Sequence, residues 1–238
     1  MKRVALITGS TRRIGRAIAA RLAREGYALA LNYRHNERAA QETVAALAAL
    51  TEAVAFRADV STPEGAEHLV RETLAHFGRV DVLVNCVGPF VPKPLAETDL
   101  GEWRLLVDGN LGSAFYTMRL VIPVMREQGG GVIVNLGSLN AGVARGAPNT
   151  AVYNALKTAL VVLTRSVARS EGRHGIRANV VNPGMIDPAG VGEEVVRHIP
   201  LQRLGTPDDV AAAVAWLCSD EATYVSGAVV DVHGGLWA

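Results

Sequence analysis

Cysteine is nearly absent. The chain of 238 residues carries two, Cys86 and Cys218, too few for a disulfide framework. Cys86 lies in an apolar run and reads as a small buried residue. Neither sign of charge is in excess, with 24 basic residues against 23 acidic ones. That balance argues against a nucleic-acid footprint or a charged membrane surface. No apolar run reaches the ~18 charge-free residues that would suggest a bilayer span. Met1-Lys2-Arg3 leads straight into a short strand and a glycine turn, so no signal peptide is expected. Repeats, low-complexity runs and linkers are missing as well, which leaves one domain over 1–238. These absences make a cytoplasmic protein without a metal site the expectation.

What is present is apolar and alternating. Hydrophobic residues make up 49% of the chain, enough for one well-buried core. Short apolar runs at 4–7, 27–33, 53–58, 80–85, 132–136, 176–181 and 228–232 predict seven strands. Helical spacing predicts helices over 14–25, 37–50 and 62–77. A long helical region over 98–127 is expected to break near Gly109. Another helix runs to about Val167, with Asn149-Thr150 as its cap, and a last one opens at Thr206-Pro207-Asp208-Asp209. Strict strand–helix alternation predicts an α/β fold: a single doubly wound domain, its parallel sheet covered by helices on both faces. Ligands in such folds sit at the carboxyl ends of the strands. There the chain places Gly9, Asp59, Asn85, Gly88, Ser138 and Pro183-Gly184.

Tyr153 and Lys157 are four residues apart, on one face of a helix. A free tyrosine is a poor proton donor at neutral pH. A lysine ammonium one turn away is expected to move the phenol toward neutrality. Near the start of the chain, Thr8-Gly9-Ser10-Thr11-Arg12-Arg13-Ile14-Gly15 joins the first strand to the first helix. Such a turn lets backbone N–H groups and the helix N-terminus approach a pyrophosphate.

Over its whole length the chain resembles the short-chain dehydrogenase/reductase family, whose Rossmann-type fold it would share. The family has Thr-Gly-x-x-x-Gly-x-Gly at this turn. Gly9 and Gly15 match, while Arg13 replaces the middle glycine, as in the pteridine reductase branch. The resemblance implies cofactor contacts from Gly9, Thr11, Arg12, Arg13, Ile14 and Gly15. Asp59-Val60 resembles the pair that meets the adenine. Asn85 and Gly88 match the Asn-Asn-Ala-Gly signature, although Cys86 and Val87 do not. At the end of the second strand, Asn32-Tyr33-Arg34-His35-Asn36 has no carboxylate for a ribose 2′-hydroxyl. Its Arg34, with His35 and Asn36, suits a 2′-phosphate, so NADP(H) is expected over NAD(H).

Asn110, Ser138, Tyr153 and Lys157 match the family's catalytic set. The resemblance implies Tyr153 as general acid and Ser138 as a fixed donor to the substrate oxygen. It gives Lys157 the nicotinamide ribose and Asn110 a water that links the lysine to solvent. Pro183-Gly184 and Ile186 resemble the segment against the nicotinamide. Asp187-Pro188 stands where relatives carry a threonine, and the lid over 189–199 is short. The leading expectation is an NADPH-dependent carbonyl reductase resembling 3-oxoacyl-(acyl-carrier-protein) reductases. The loop Gln128-Gly129-Gly130-Gly131 lacks the basic residue often used to dock an acidic carrier, Arg126 being the nearest. The alternatives are a pteridine reductase, disfavoured by Ser138, and a non-catalytic dinucleotide sensor. Relatives usually pair the helix carrying Tyr153 with its symmetry mate, which implies a homotetramer.

Overall fold

The structure, a computed structural model, describes residues 2–187 and 193–236. Seven strands form one sheet: β1 (Val4–Ile7), β2 (Ala28–Tyr33), β3 (Ala53–Arg57), β4 (Val82–Asn85), β5 (Gly131–Leu136), β6 (Ile176–Pro183) and β7 (Val229–Val232). All pairings are parallel and the order is β3-β2-β1-β4-β5-β6-β7. The chain winds outward from β1 in one direction, then returns to β4 and winds in the other. The switch point therefore falls between β1 and β4, where the Gly9 turn and the Gly88 turn meet.

The helices are α1 (Arg13–Arg24), α2 (Glu37–Leu47), α3 (Pro63–Phe77), α4 (Leu100–Val107), α5 (Ser113–Glu127), α6 (Ala151–Glu171), α7 (Glu193–Arg197) and α8 (Pro207–Cys218). Strand residues alternate between the faces of the sheet. Ala5 and Ile7 of β1 pack with Ile18 and Leu22 of α1 and with Val210 and Val214 of α8. Leu6, between them, packs on the other face with Leu69 of α3, Met118 of α5 and Leu160 of α6. Both faces are buried, which is why the strands are runs of apolar residues rather than alternating ones.

The expected break near Gly109 is a π-helical turn over Asp108–Gly112 between α4 and α5. Two start signals act as expected. Thr62 accepts from Gly65 N at 3.1 Å at the head of α3, and Thr206 forms a capping box with Asp209 at the head of α8. The α6 cap differs: Thr150 makes no side-chain capping bond. Its backbone is instead engaged in a parallel bridge with Lys93. Among the described residues no helix is long and apolar enough to cross a membrane.

Candidate active site

The β1–α1 turn is a tight cradle. Gly9 has φ +61°, and a Cβ on it would lie 3.1 Å from Val87 Cγ2. A Cβ on Gly15 would come 2.3 Å from the Gly9 carbonyl, so α1 can begin this close to the turn only with glycine there. Arg13 has φ +45°, the left-handed region that glycine enters freely and that costs other residues about 1–2 kcal/mol. The arginine thus keeps the backbone shape of the glycine it replaces.

Asn32 holds the cradle, a role the sequence reading missed. Its side-chain oxygen accepts from Gly9 N at 3.2 Å and its amide donates to Ala58 O at 3.0 Å. Its backbone N–H donates to Ser10 Oγ at 2.9 Å and its carbonyl accepts from Ser10 N at 3.1 Å. A buried asparagine in the otherwise apolar β2 was the available signal. Thr8 Oγ1 plays a matching part, accepting from Cys86 N and Val87 N at 3.0 and 3.3 Å. That ties the turns after β1 and β4 together.

The end of β2 corrects one expectation. The stretch 32–36 has no carboxylate, but Asp59 after β3 brings one in: Arg34 Nε lies 3.2 Å from Asp59 Oδ2. Adjacent parallel strands bring their ends together, and sequence distance hid the pair. Asp59 also accepts from Ser61 N and Oγ, and Val60 behind it is buried. Two further side chains expected at the cofactor are occupied structurally. Asn36 caps α2 by accepting from Ala39 N at 2.8 Å. Asn85 donates to Asn135 Oδ1 at 2.9 Å and accepts from Thr117 Oγ1 at 2.7 Å. Asn135 continues the chain to Thr164 at 2.8 Å, so Asn85 anchors the sheet to α5 and α6. His35 is exposed beside Arg34.

The residues expected to be catalytic lie around the ends of β4 and β5. Lys157 is buried, and its Nζ donates to Leu136 O at 2.8 Å. Nζ lies 5.7 Å from the centroid of the Tyr153 ring. A Cβ on Gly88 would come 2.7 Å from Asn110 Oδ1 and 3.0 Å from Lys157 Nζ, so Gly88, Asn110 and Lys157 share one small space. The π-helical turn aims Asn110: its amide donates to Pro89 O at 2.9 Å and to Leu106 O at 3.1 Å. Its Oδ1 is buried without a protein partner, and so is Ser138 Oγ. Orphaned buried polar atoms of this kind call for a ligand or water. They suit the water and the substrate oxygen that the resemblance assigned to them.

The electrostatics differ from the expectation. Burial holds the Tyr153 hydroxyl up, at about 12. Burial likewise pushes the Lys157 ammonium down to about 8, with the nearby Cys86 opposing. The lysine does not offset the tyrosine's desolvation, because its ammonium is turned to the Leu136 carbonyl. Removing both groups from water disfavours charge on each.

After β6, Gly184 N donates to Val232 O at 2.9 Å, and a Cβ on Gly184 would lie 2.5 Å from His233 Cβ. Ile186 is buried and bridges in parallel to Gly205. The bonds of that bridge are made by Met185 O and Asp187 N, which leaves the Ile186 N–H and C=O directed to the other side. Pro188 and the first part of the lid, 189–192, lie outside the described residues. Among the described residues no group of histidine, cysteine, aspartate and glutamate side chains could hold a metal ion.

A glycine cradle at the switch point, beside a buried lysine, a tyrosine, a serine and an asparagine, defines a dinucleotide-dependent oxidoreductase. The chain belongs to the short-chain dehydrogenase/reductase family. A family model described as enoyl-(acyl carrier protein) reductase matches residues 9–237. The 3-oxoacyl-[acyl-carrier-protein] reductase of Staphylococcus epidermidis is 36% identical over 245 residues, covering 100% of both chains. The acetoacetyl-CoA reductase of Allochromatium vinosum is 34% identical, covering 100% of this chain and 99% of its own. Two solved structures share the fold. Acetoin dehydrogenase from Salmonella typhimurium superimposes with a TM-score of 0.92 at 33% identity, covering 99% of this chain and 96% of that one. A blue fluorescent protein from a metagenomic library, in complex with NADPH, gives 0.93 at 36% identity, covering 99% and 98%.

Proposed function

We propose that the protein reduces a 3-oxoacyl-type carbonyl to the alcohol with NADPH. The observation that carries this is the pair of orphaned buried oxygens, Asn110 Oδ1 and Ser138 Oγ, in the set that also holds Tyr153 and Lys157. A bound nicotinamide supplies the hydride. Ser138 donates to the carbonyl oxygen, where charge builds up as the carbon is reduced. Tyr153 gives that oxygen its proton. Lys157, buried and poised near neutrality, returns a proton to Tyr153, and Asn110 holds the water through which the lysine is resupplied. The relatives named for 3-oxoacyl and acetoacetyl thioesters support this substrate class.

Arg126 is not free to dock an acidic carrier: Glu171 holds it bidentately at 2.7 and 2.8 Å. This favours a small or coenzyme-bound thioester over a carrier-bound one. Arg34 at the end of β2 and Arg13 in the phosphate turn support NADP(H) over NAD(H). Arg13 also favours a second reading, pteridine reduction, because the pteridine reductase branch carries arginine at this position. The reading includes a homotetramer in the cytoplasm, with α6 at one interface. NADPH consumption with acetoacetyl thioesters, simple ketones and a dihydropteridine tests the proposal. Turnover of the dihydropteridine alone would overturn it, and turnover of none would favour a dinucleotide sensor.

A further inference from the structure

The loop after β4 is pinned on both sides of a three-residue stretch, Phe90-Val91-Pro92. On the near side Pro89 is seated on Gly109, where a Cβ would come 2.4 Å from Pro89 Cδ. The Asn110 amide donates to the Pro89 carbonyl at 2.9 Å. On the far side Lys93 bridges to Thr150, the residue before α6, and its ammonium is paired with Glu102. The bridge holds this loop beside the first turn of α6, which carries Tyr153.

Between the anchors stands Phe90. Its ring meets the Tyr153 ring with centroids 4.9 Å apart and planes at 79°. Even so, 58% of Phe90 is exposed. Exposure alone does not single it out, since other large apolar side chains are exposed too; its place between the two anchors, against Tyr153, does. Tyr153 also packs in an apolar cluster with Val91, Leu106, Val152 and Leu156. A substrate whose oxygen reaches Ser138 Oγ and the Tyr153 hydroxyl has its carbonyl substituent next to this wall.

The geometry points to Phe90 as a specificity-determining residue, the wall on which the carbonyl substituent rests, selecting a flat apolar group such as an aryl ring over a methyl. This rests on the carbonyl-reductase reading above. The ring offers such a substituent apolar area and edge or face contact. It offers nothing to a charged or strongly hydrated one.

Ethyl benzoylacetate and ethyl acetoacetate test it, since these 3-oxo esters differ only in phenyl against methyl on the reacting carbonyl. The readout is the ratio of kcat/KM for the two esters with NADPH, which cancels any general damage to Tyr153. In Phe90→Ala the ratio should fall roughly tenfold, mainly through KM for the phenyl ester, the scale of a lost apolar pocket contact. Phe90→Leu, which keeps apolar bulk without the ring, should fall about threefold and carries the test if the alanine variant does not fold. A ratio within twofold of wild type in the folded variants overturns the inference. A wild-type protein that reduces neither ester overturns the carbonyl-reductase reading, and this inference with it.

Discussion

The Lys157 ammonium donates to the Leu136 carbonyl at 2.8 Å while lying 5.7 Å from the centre of the Tyr153 ring. Its charge is thus spent on the backbone rather than on the phenol. The tyrosine stays high, at about 12, and so keeps its proton at neutral pH; on the proposed reading an oxygen with developing charge then takes it. Tyr153→Phe removes that proton and leaves the ring packed against Phe90. Turnover should fall by at least ~100-fold, the scale of a positioned general acid. NADPH affinity and thermal stability should hold. Steady-state kinetics beside a fluorescence titration checks this, and retained turnover would sink the assigned role.

Lys157 pays for its position in stability. Its folded pKa of about 8 lies below the ordinary 10.5, so below pH 8 the folded protein carries a buried charge it would rather lose. The penalty is present below about 8 and gone above about 10.5. Lys157→Met should be inactive yet more stable at pH 7, by about 1–2 kcal/mol once the stranded Leu136 carbonyl is counted against the relieved desolvation. That gain should shrink as pH rises from 8 to 10.5. Thermal melts of both proteins at pH 7 and pH 10 test it; a variant less stable than wild type at pH 7 would contradict it.

The apolar alternation made the sheet legible, because a parallel sheet buried on both faces needs uninterrupted runs such as Val4–Ile7 and Val82–Asn85. The four residues proposed for catalysis were picked out by their order along the chain. What stayed hidden depends on through-space neighbours. Nothing in 32–36 announces Asp59, since the Arg34 pair is made across two strands. The structural bonds of the Asn85 side chain were hidden too, because its partners Asn135 and Thr117 stand on elements that only folding brings near. Asn36 beside Glu37 could have been read as a helix cap. The direction of the tyrosine shift was misjudged because spacing along a helix fixes which face a lysine occupies, not where its ammonium turns.

Gly88 is a steric gate on the same cluster. A methyl group there would press on Asn110 Oδ1 at 2.7 Å and on Lys157 Nζ at 3.0 Å. Neither neighbour is free to yield, because Asn110 is tied to Pro89 and Leu106 and Lys157 to Leu136. Gly88→Ala should therefore cost about 100-fold in kcat or more, since small displacements of positioned groups carry penalties of that order. A fully active Gly88→Ala protein would show that the pocket relaxes and that Asn110 and Lys157 need not keep this arrangement.

Helices α4, α5 and α6 leave Trp103, Leu105, Phe115 and Val162 exposed. Apolar surface of this kind suits a self-complementary contact between two copies. Light scattering at micromolar concentration should give a tetramer. Val162→Glu, which places a charge on the exposed side of α6, should shift the mass toward smaller species. A monomeric wild type at that concentration would refute the assembly.

On the proposed NADP(H) reading, cofactor choice rests on Arg34, with Asp59 beside it. Arg34 and Asp59 are both substantially exposed, so their ion pair contributes little to folding. It keeps the guanidinium at the end of β2, and it sets a negative charge beside the group proposed to meet a 2′-phosphate. A charge-assisted contact from Arg34 to that phosphate is worth roughly 1.5–3 kcal/mol. Arg34→Ala should accordingly raise the NADPH Kd about ten- to a hundredfold and leave NADH nearly unaffected. Asp59→Asn should act in the opposite sense, tightening NADPH by a few fold, and more so at low salt, where the carboxylate's repulsion is least screened. Tyr33→Asp combined with Arg34→Ala should move preference toward NADH, because a carboxylate attracts the free 2′-hydroxyl and repels the phosphate. Arg13 separates from these through its backbone. Arg13→Gly relieves a left-handed φ of +45° and should stabilise the fold by about 1 kcal/mol. A loss of NADPH affinity in the same variant would assign the missing share of phosphate binding to its side chain. Wild-type protein that binds NADH as tightly as NADPH in a fluorescence titration would overturn the whole assignment.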